Sequence, residues 1–241
     1  MASRQNAMRY HPKALIQLPF FGKEHFTSLF YIDNALIVSD LHYGSKETYR
    51  PVQVVKYAKD YGIHALVIAG DLFEYEHKFM SINDLFKKVY EVLEILGFTF
   101  FKKIFITFSR SSHDPIVYGD ISWRNEENEI YVTSKILRLK SGSTIFNVTH
   151  GDIICSNGFL AYLINRIAEK IGQKLLLEKL LKRKLRIPHS HWLIMGHTHI
   201  PGISYTDRVA NAGSWKSYWR TRASKTAIFI GKREVRLITF R

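Results

Sequence analysis

The sequence predicts an α/β fold, and three observations lead there. Short, continuously apolar runs such as Ala35 to Val38 (ALIV) and Ala65 to Ala69 (ALVIA) read as strands buried on both faces. Between them, Pro51 can open a helix that runs through Lys59 and stops at Gly62. Ile82 to Leu96 then carries helical spacing at Leu85, Val89, Val92 and Leu96, is ended by Gly97, and leads to a strand-like Lys103 to Phe108. The first half therefore reads β-α-β-α-β, a sheet with helices on its faces.

The second half is richer in strands. Glu129 to Thr133, Ile136 to Leu139, Thr144 to Val148, Trp192 to Met195, Thr226 to Ile230 and Glu234 to Phe240 all fit, and Ser141-Gly142-Ser143 suits a hairpin turn. No repeat, low-complexity tract or long linker divides the chain, so a single domain over residues 1–241 is expected. One excursion stands apart, a helical, apolar and basic stretch at about 156–186. There Leu163, Ile164, Ile167 and Ile171 form an apolar stripe, Gly172 breaks the helix, and Leu175 to Leu177, Leu180 and Leu181 follow. Its plain reading is a core-facing helix pair with a solvated basic side; its functional reading is a cap gripping an anionic or lipidic substrate.

Composition narrows the classes of function. Hydrophobic residues make up 46%, with 16 Phe and 13 Tyr, so a packed core is expected. The single cysteine, Cys155, excludes an internal disulfide and Cys-held metal clusters and points to a reducing cytoplasm. Any metal must then sit on His and carboxylates. Met1 to Lys13 lacks the apolar core of a signal peptide, and no apolar run approaches the roughly 20 residues that span a bilayer. The net charge of +14 favours polyanionic partners: nucleic acid, nucleotides or other phosphorylated metabolites, or an anionic membrane face touched peripherally. Lysine-rich surfaces also serve solubility.

Five short signals fall where strands end: Asp40-Leu41-His42, Gly70-Asp71, Ser112-His113-Asp114, His150-Gly151-Asp152 and Gly196-His197-Thr198-His199. In an open α/β sheet, ligands bind outside the carboxyl ends of strands, so residues distant in sequence can converge there. In an extended Gly-His-Thr-His, His197 and His199 share a side.

In order, these residues resemble the pattern of the calcineurin-like metallophosphoesterase superfamily: D-x-H, G-D, G-N-H-D/E, a His followed by Gly, and G-H-x-H. The match runs from Asp40 to His199. The resemblance implies a four-layer α/β/β/α sandwich of two mixed β-sheets with two divalent metal ions at the sheet edge, Mn first, with Fe, Zn or Ni as alternatives. It implies that Asp40, His42 and His199 bind one metal, that His150 and His197 bind the second, and that Asp71 bridges them. His113 would stabilise the transition state or protonate the leaving oxygen, with Asp114 placed to orient it. A water shared by two cations becomes a nucleophile near neutral pH, and the expected activity is hydrolysis of a phosphate-ester substrate.

The chain departs from the pattern at Ser111-Ser112, where the family has Gly-Asn and the Asn amide oxygen is a ligand of the second metal. Ser112 is shorter and a poorer neutral ligand. A nucleic-acid-binding or scaffolding protein on a weakened phosphoesterase fold is accordingly the alternative to an enzyme. Among enzymes, the charge suits a nuclease or nucleotide phosphodiesterase, similar to repair-associated members. The His150-Gly-Asp152 motif with the basic helical segment instead resembles UDP-diacylglucosamine pyrophosphohydrolases. Downstream, Arg208 and Asn211 are candidate substrate contacts, although turn chemistry also explains Asn211. Trp215, Tyr218, Trp219, Arg220 and Arg222 form an aromatic-basic cluster that either stacks bases or packs in the core. Ser112 generates one expectation: metal titration by calorimetry should resolve a tight and a weaker site, and two equally tight sites would contradict it.

Overall fold

The computed structural model describes residues 25–46, 48–110, 113–218 and 221–241. In chain order its elements are β1 (Phe26–Tyr31), β2 (Ala35–Val38), α1 (Val52–Asp60), β3 (Ala65–Ala69), α2 (Ile82–Ile95), β4 (Lys103–Thr107), β5 (Asp120–Arg124), β6 (Glu129–Thr133) and β7 (Ile136–Ser141). Then follow β8 (Thr144–Val148), α3 (Gly158–Lys170), α4 (Leu176–Lys184), β9 (Trp192–Met195), β10 (Gly202–Ser204), β11 (Val209–Asn211), β12 (Thr226–Ile230) and β13 (Val235–Thr239).

Strands that are apolar on both faces need cover on both faces, and the layers follow from that need. The strands form a seven-stranded mixed sheet, β13-β12-β2-β3-β4-β6-β5, and a six-stranded mixed sheet, β1-β7-β8-β9-β11-β10. Alternate residues of β2, β3 and β4 (Ala35, Ile37, Val67, Phe105) meet Leu137, Leu139, Phe146, Val148, Trp192 and Ile194 of the other sheet. The opposite set (Leu36, Val38, Leu66, Ile68, Ile104, Ile106) packs beneath α1 and α2. Leu193, Met195 and Val209 point out of the six-stranded sheet and are covered by Leu175 and Leu181 beside and on α4. The result is the expected α/β/β/α order.

Local signals set the ends of the helices. The Ser81 side chain caps α2 by accepting from the Asp84 backbone N–H (3.1 Å), and Gly97 follows with a left-handed φ of 73°. Asn157 caps α3 through the Leu160 N–H (2.9 Å). The hairpin expected at Ser141 to Ser143 joins β7 to β8, with Ser141 paired to Thr144.

The helical segment needs a correction. Its apolar stripe was expected to face the core, yet Leu163, Ile167 and Ile171 are exposed, and α3 buries Ala161, Tyr162, Asn165 and Ala168 instead. The cause is a polar clasp. Asn165 donates to the buried Glu178 carboxylate of α4 (2.9 Å) and accepts from the Leu177 N–H (3.0 Å), which turns the small and polar side of α3 inward. The plain reading does hold for α4, which buries Leu177 and Leu181 while Lys182 donates to the carbonyls of His191 and Asp207 (both 2.7 Å). No helix among the described residues is long and apolar enough to cross a membrane.

Strands β2, β3, β4 and β6 run parallel, as do β8, β9 and β11. Their carboxyl ends therefore deliver the intervening loops to one edge of the sandwich. This packing yields a contrast that urea unfolding can check. Leu181→Ala should cost about 2–5 kcal/mol, whereas Ile167→Ser should stay within about 0.5 kcal/mol.

Candidate metal centre

Each candidate ligand sits at the first turn beyond a strand, where the backbone must leave the sheet sharply. Asp40, His42, Asp71, His197 and His199 all adopt positive φ, between 47° and 67°. Asp and His tolerate this left-handed region better than most residues, but a cluster of such residues at one site is stored strain. Two glycines of the motifs make room for it. A Cβ on Gly70 would lie 2.4 Å from the His150 Cβ, and one on Gly196 would lie 2.3 Å from Asp40 Oδ2.

Asp40, His42, Asp71, His150, His197 and His199 come together and are buried or nearly so. Asp71 Oδ2 lies 3.6 Å from His42 Nε2 and 3.4 Å from His150 Nε2. Asp40 Oδ1 lies 3.3 Å from His199 Nε2 and 3.9 Å from His42 Nε2, while Asp40 Oδ2 accepts the His197 backbone N–H (3.0 Å). Asp40, His42 and His199 form one set of converging ligand atoms, Asp40, Asp71 and His150 another, and His42, Asp71 and His113 a third.

The donors fit a cation. Asp40 Oδ1, His42 Nε2 and Asp71 Oδ1 are buried without a hydrogen-bond partner, a costly state for polar atoms unless something positive joins them. The tautomers agree. His150 Nδ1 faces the Ala69 carbonyl (3.2 Å), so that nitrogen carries a proton. His197 Nε2 faces the Cys155 carbonyl and does likewise. The remaining nitrogens, His150 Nε2 and His197 Nδ1, then face each other at 3.0 Å. Two lone pairs at that distance repel unless a proton or a metal lies between them.

Electrostatics decide which it is without metal. Burial alone would lower the His150 pKa, but the carboxylates of Asp71, Asp40, Asp152 and Asp114 push it up to about 9. Burial and the neighbouring charged His150 hold His197 low. Burial pushes His199 down to about 4, against the pull of Asp40, so it stays a neutral imidazole. Burial would raise the Asp71 carboxyl, but His150, His42 and His113 hold it well below the usual carboxylate range.

Two residues depart from the sequence reading. Asp114 does not orient His113. Its carboxylate turns inward and accepts the backbone N–H groups of Asp71 (2.7 Å), Ser109 (2.8 Å) and Phe73 (3.1 Å), stapling the loop after β3 to the loop after β4. Burial and the nearby Asp71 raise its pKa against those donors. His113 is held by its Nδ1, which donates to the Glu74 carbonyl (2.8 Å), leaving Nε2 uncommitted on a partly exposed ring. Arg208 lies before β11, at the far end of the sheet, and its guanidinium meets the Ser190 carbonyl. Asn211 follows the turn reading: its oxygen accepts the Gly213 N–H, and its buried amide bonds Glu178, the Gly196 carbonyl and Thr198.

Of the aromatic-basic cluster, Trp215 is core, donating to the Thr226 carbonyl (3.1 Å). Tyr218 stacks on His199 at 4.3 Å, and Arg222 is exposed. Ser112, Trp219 and Arg220 lie outside the described residues.

Sequence reasoning missed Glu74. Its carboxylate lies 2.6 Å from His42 Nδ1 and 2.7 Å from Lys216 Nζ. Burial would raise its pKa, but these two partners bring it down to about 2. A carboxylate behind a ligating imidazole fixes the ring and strengthens it as a donor. Asp152, quoted only as part of a motif, accepts the Arg110 backbone N–H (2.6 Å) and ties the β8 and β4 loops together.

A cation entering between His150 and His197 must displace the His150 proton. The folded-state pKa of His150 is raised, so its stabilising contribution to the cation-free protein is full below about pH 6.5 and is lost as pH rises through about 9. Differential scanning calorimetry should therefore show a Tm that falls between pH 6.5 and 9 without metal and holds steadier with it. Over the same window, metal affinity should rise by up to about tenfold per pH unit.

The chain matches the calcineurin-like phosphoesterase superfamily domain over residues 34–232. No curated protein matches it significantly. Among solved structures it is similar to wild-type Vps29 of Entamoeba histolytica complexed with zinc, at 15% identity, covering 84% of this chain and 88% of that one with a TM-score of 0.49. It is also similar to a predicted phosphoesterase of Streptococcus pneumoniae, at 15% identity over 86% and 89% with a TM-score of 0.41. An archaeal phosphodiesterase aligns at 14% identity over 86% and 99%, with a TM-score of 0.41. With the family domain spanning most of its length, the chain belongs to the calcineurin-like phosphoesterase superfamily.

Proposed function

We propose that the protein is a hydrolase that cleaves a phosphate ester with two divalent cations, Mn being the first to test and Fe, Zn and Ni the alternatives. The observation that carries this reading is Asp71 Oδ2, set 3.6 Å from His42 Nε2 and 3.4 Å from His150 Nε2, between two groups of donors. Asp40, His42 and His199 would hold one cation, His150 and His197 the other, and Asp71 both. When bound, such a pair supplies charge that makes water nucleophilic near neutral pH and offsets the phosphoryl oxygens.

The remaining steps belong to the chain. Glu74 holds the His42 ring and, through its carbonyl, the His113 ring. That leaves His113 Nε2 free to donate a proton to the departing oxygen. Asp114 fixes the backbone around Asp71, so substrate and ligands keep their register. The second reading, a binding or scaffolding protein, is favoured by Ser112 standing where the family has Asn.

Hydrolysis of bis-p-nitrophenyl phosphate with each metal tests the proposal. Asp71→Asn should abolish turnover with the fold intact by circular dichroism; a protein with no metal-dependent turnover on this ester, single-stranded DNA or a UDP-linked ester would be the scaffold instead. His113→Ala should lower kcat by about 10²–10⁴-fold with metal affinity unchanged. Glu74→Gln should weaken metal binding by about 10–100-fold, read by calorimetry.

A further inference from the structure

Two aromatic rings stand in solvent on the loops that carry Asp71 and His113. Phe79 is 62% exposed and Tyr118 70% exposed, yet they stack on each other with centroids 5.4 Å apart and planes 24° from parallel. Tyr75, on the same loop as Phe79, is 76% exposed. Among the described residues, neither stacked ring belongs to a hydrophobic cluster of the fold. Burial in the core therefore does not account for them.

Their position is fixed relative to the chemistry. Phe79 lies on the loop that carries Asp71, and Tyr118 on the loop that carries His113. The two loops are joined by Glu76 N–H to the His113 carbonyl (2.9 Å), by Ile116 N–H to the Lys78 carbonyl (3.0 Å), and by a parallel bridge between Phe79 and Ile116. His77 Nδ1 adds a contact to the Asp114 carbonyl (3.2 Å), and the Asp114 carboxylate holds both loop bases. Tyr118 is five residues from His113, so its Cα lies within about 17 Å of it even along a fully extended chain.

We infer that the Phe79–Tyr118 pair is a stacking platform for an unpaired nucleobase, making the substrate of the neighbouring site a base-bearing phosphodiester. This deepens the phosphoesterase reading and rests on it. A flat, exposed ring pair offers what a base requires, a π face, and does so without regard to sequence. The charge of +14 draws the phosphates that accompany such bases. A protein partner fits less well. Two aromatic side chains supply about 300–500 Å², short of the roughly 800 Å² that each partner contributes to a standard protein interface.

The test is fluorescence anisotropy on the Mn-loaded protein with 12-nucleotide single strands whose phosphorothioate linkages resist hydrolysis. One strand carries thymine throughout, and the other is abasic with the same length and charge. The base-bearing strand should bind about tenfold tighter. The variant carrying both Phe79→Ala and Tyr118→Ala should lose that preference while its affinity for the abasic strand stays unchanged, and Phe79→Trp should keep the preference. Equal binding of the two strands by the unaltered protein, or a preference that survives in the double variant, overturns the platform. Mn-dependent ester hydrolysis, measured separately, keeps the two readings apart. Turnover without base preference sinks the platform alone, and base preference without turnover on any ester sinks the phosphoesterase reading and leaves a base-binding site. A strand preference that grows from two to twelve nucleotides identifies a polynucleotide, and one that does not grow identifies a nucleotide.

Discussion

The interaction on which the site depends is a repulsion. Asp40 and Asp71 bring buried carboxylate oxygens without partners into the same pocket as the bare nitrogens of His42, His150 and His197. Water is largely excluded from residues this buried, so these groups interact at low effective dielectric, where unpaired lone pairs and like charges cost most. A protein keeps such an arrangement only if something positive satisfies it. In the cation-free chain a proton on His150 does part of that work; a pair of divalent ions would do all of it. The unusual protonation of this pocket and its aptness for metal are one property seen twice.

Repulsion of that kind pushes loops apart, and the structure shows what holds them. Asp114 joins the β3 and β4 loops through three backbone N–H groups. Asp152 joins the β4 loop to the β8 loop through Arg110. Asn211 and Glu178 hold the loop of His197 and His199 through Thr198 and the Gly196 carbonyl. Each of these groups is buried and bonded to backbone or to another side chain, so each fixes a loop that carries a candidate ligand. The helix pair α3 and α4 contributes through this network: Glu178 reaches from α4 to Thr198, and Asn165 on α3 reaches Glu178.

Much of this was legible in the chain, and the rest was hidden for physical reasons. Continuous apolar runs such as Ala35–Val38 and Trp192–Met195 announced buried strands. Strands β1, β5, β10 and β11 went unread; β1, β5 and β10 are edge strands, none of them fully buried, β11 lies next to an edge, and β10 and β11 have three residues each. The six candidate ligands stood out because His and Asp at strand ends are chemically distinctive. Glu74 did not, because its loop has no period and its role exists only once His42 is beside it. Asp114 misled because adjacency to His113 in sequence says nothing of where a carboxylate turns. The stripe on α3 misled because periodicity reports which face is apolar, while a buried Asn165–Glu178 clasp decided which face turns inward.

Strain closes the argument. Five of the six candidate ligands hold left-handed backbone, at on the order of 1–2 kcal/mol for each residue that is not glycine. Their sum is comparable with the 5–15 kcal/mol by which an entire domain is stable. Hydrogen bonds to buried charged groups return about 1.5–3 kcal/mol each, and the Asp114 and Asp152 carboxylates accept four such bonds from backbone N–H groups. The two sides are of similar size, so the loops are held but not relaxed. Ligands fixed in this way cannot swing out to satisfy themselves elsewhere, and their donor atoms stay aimed at the space between them.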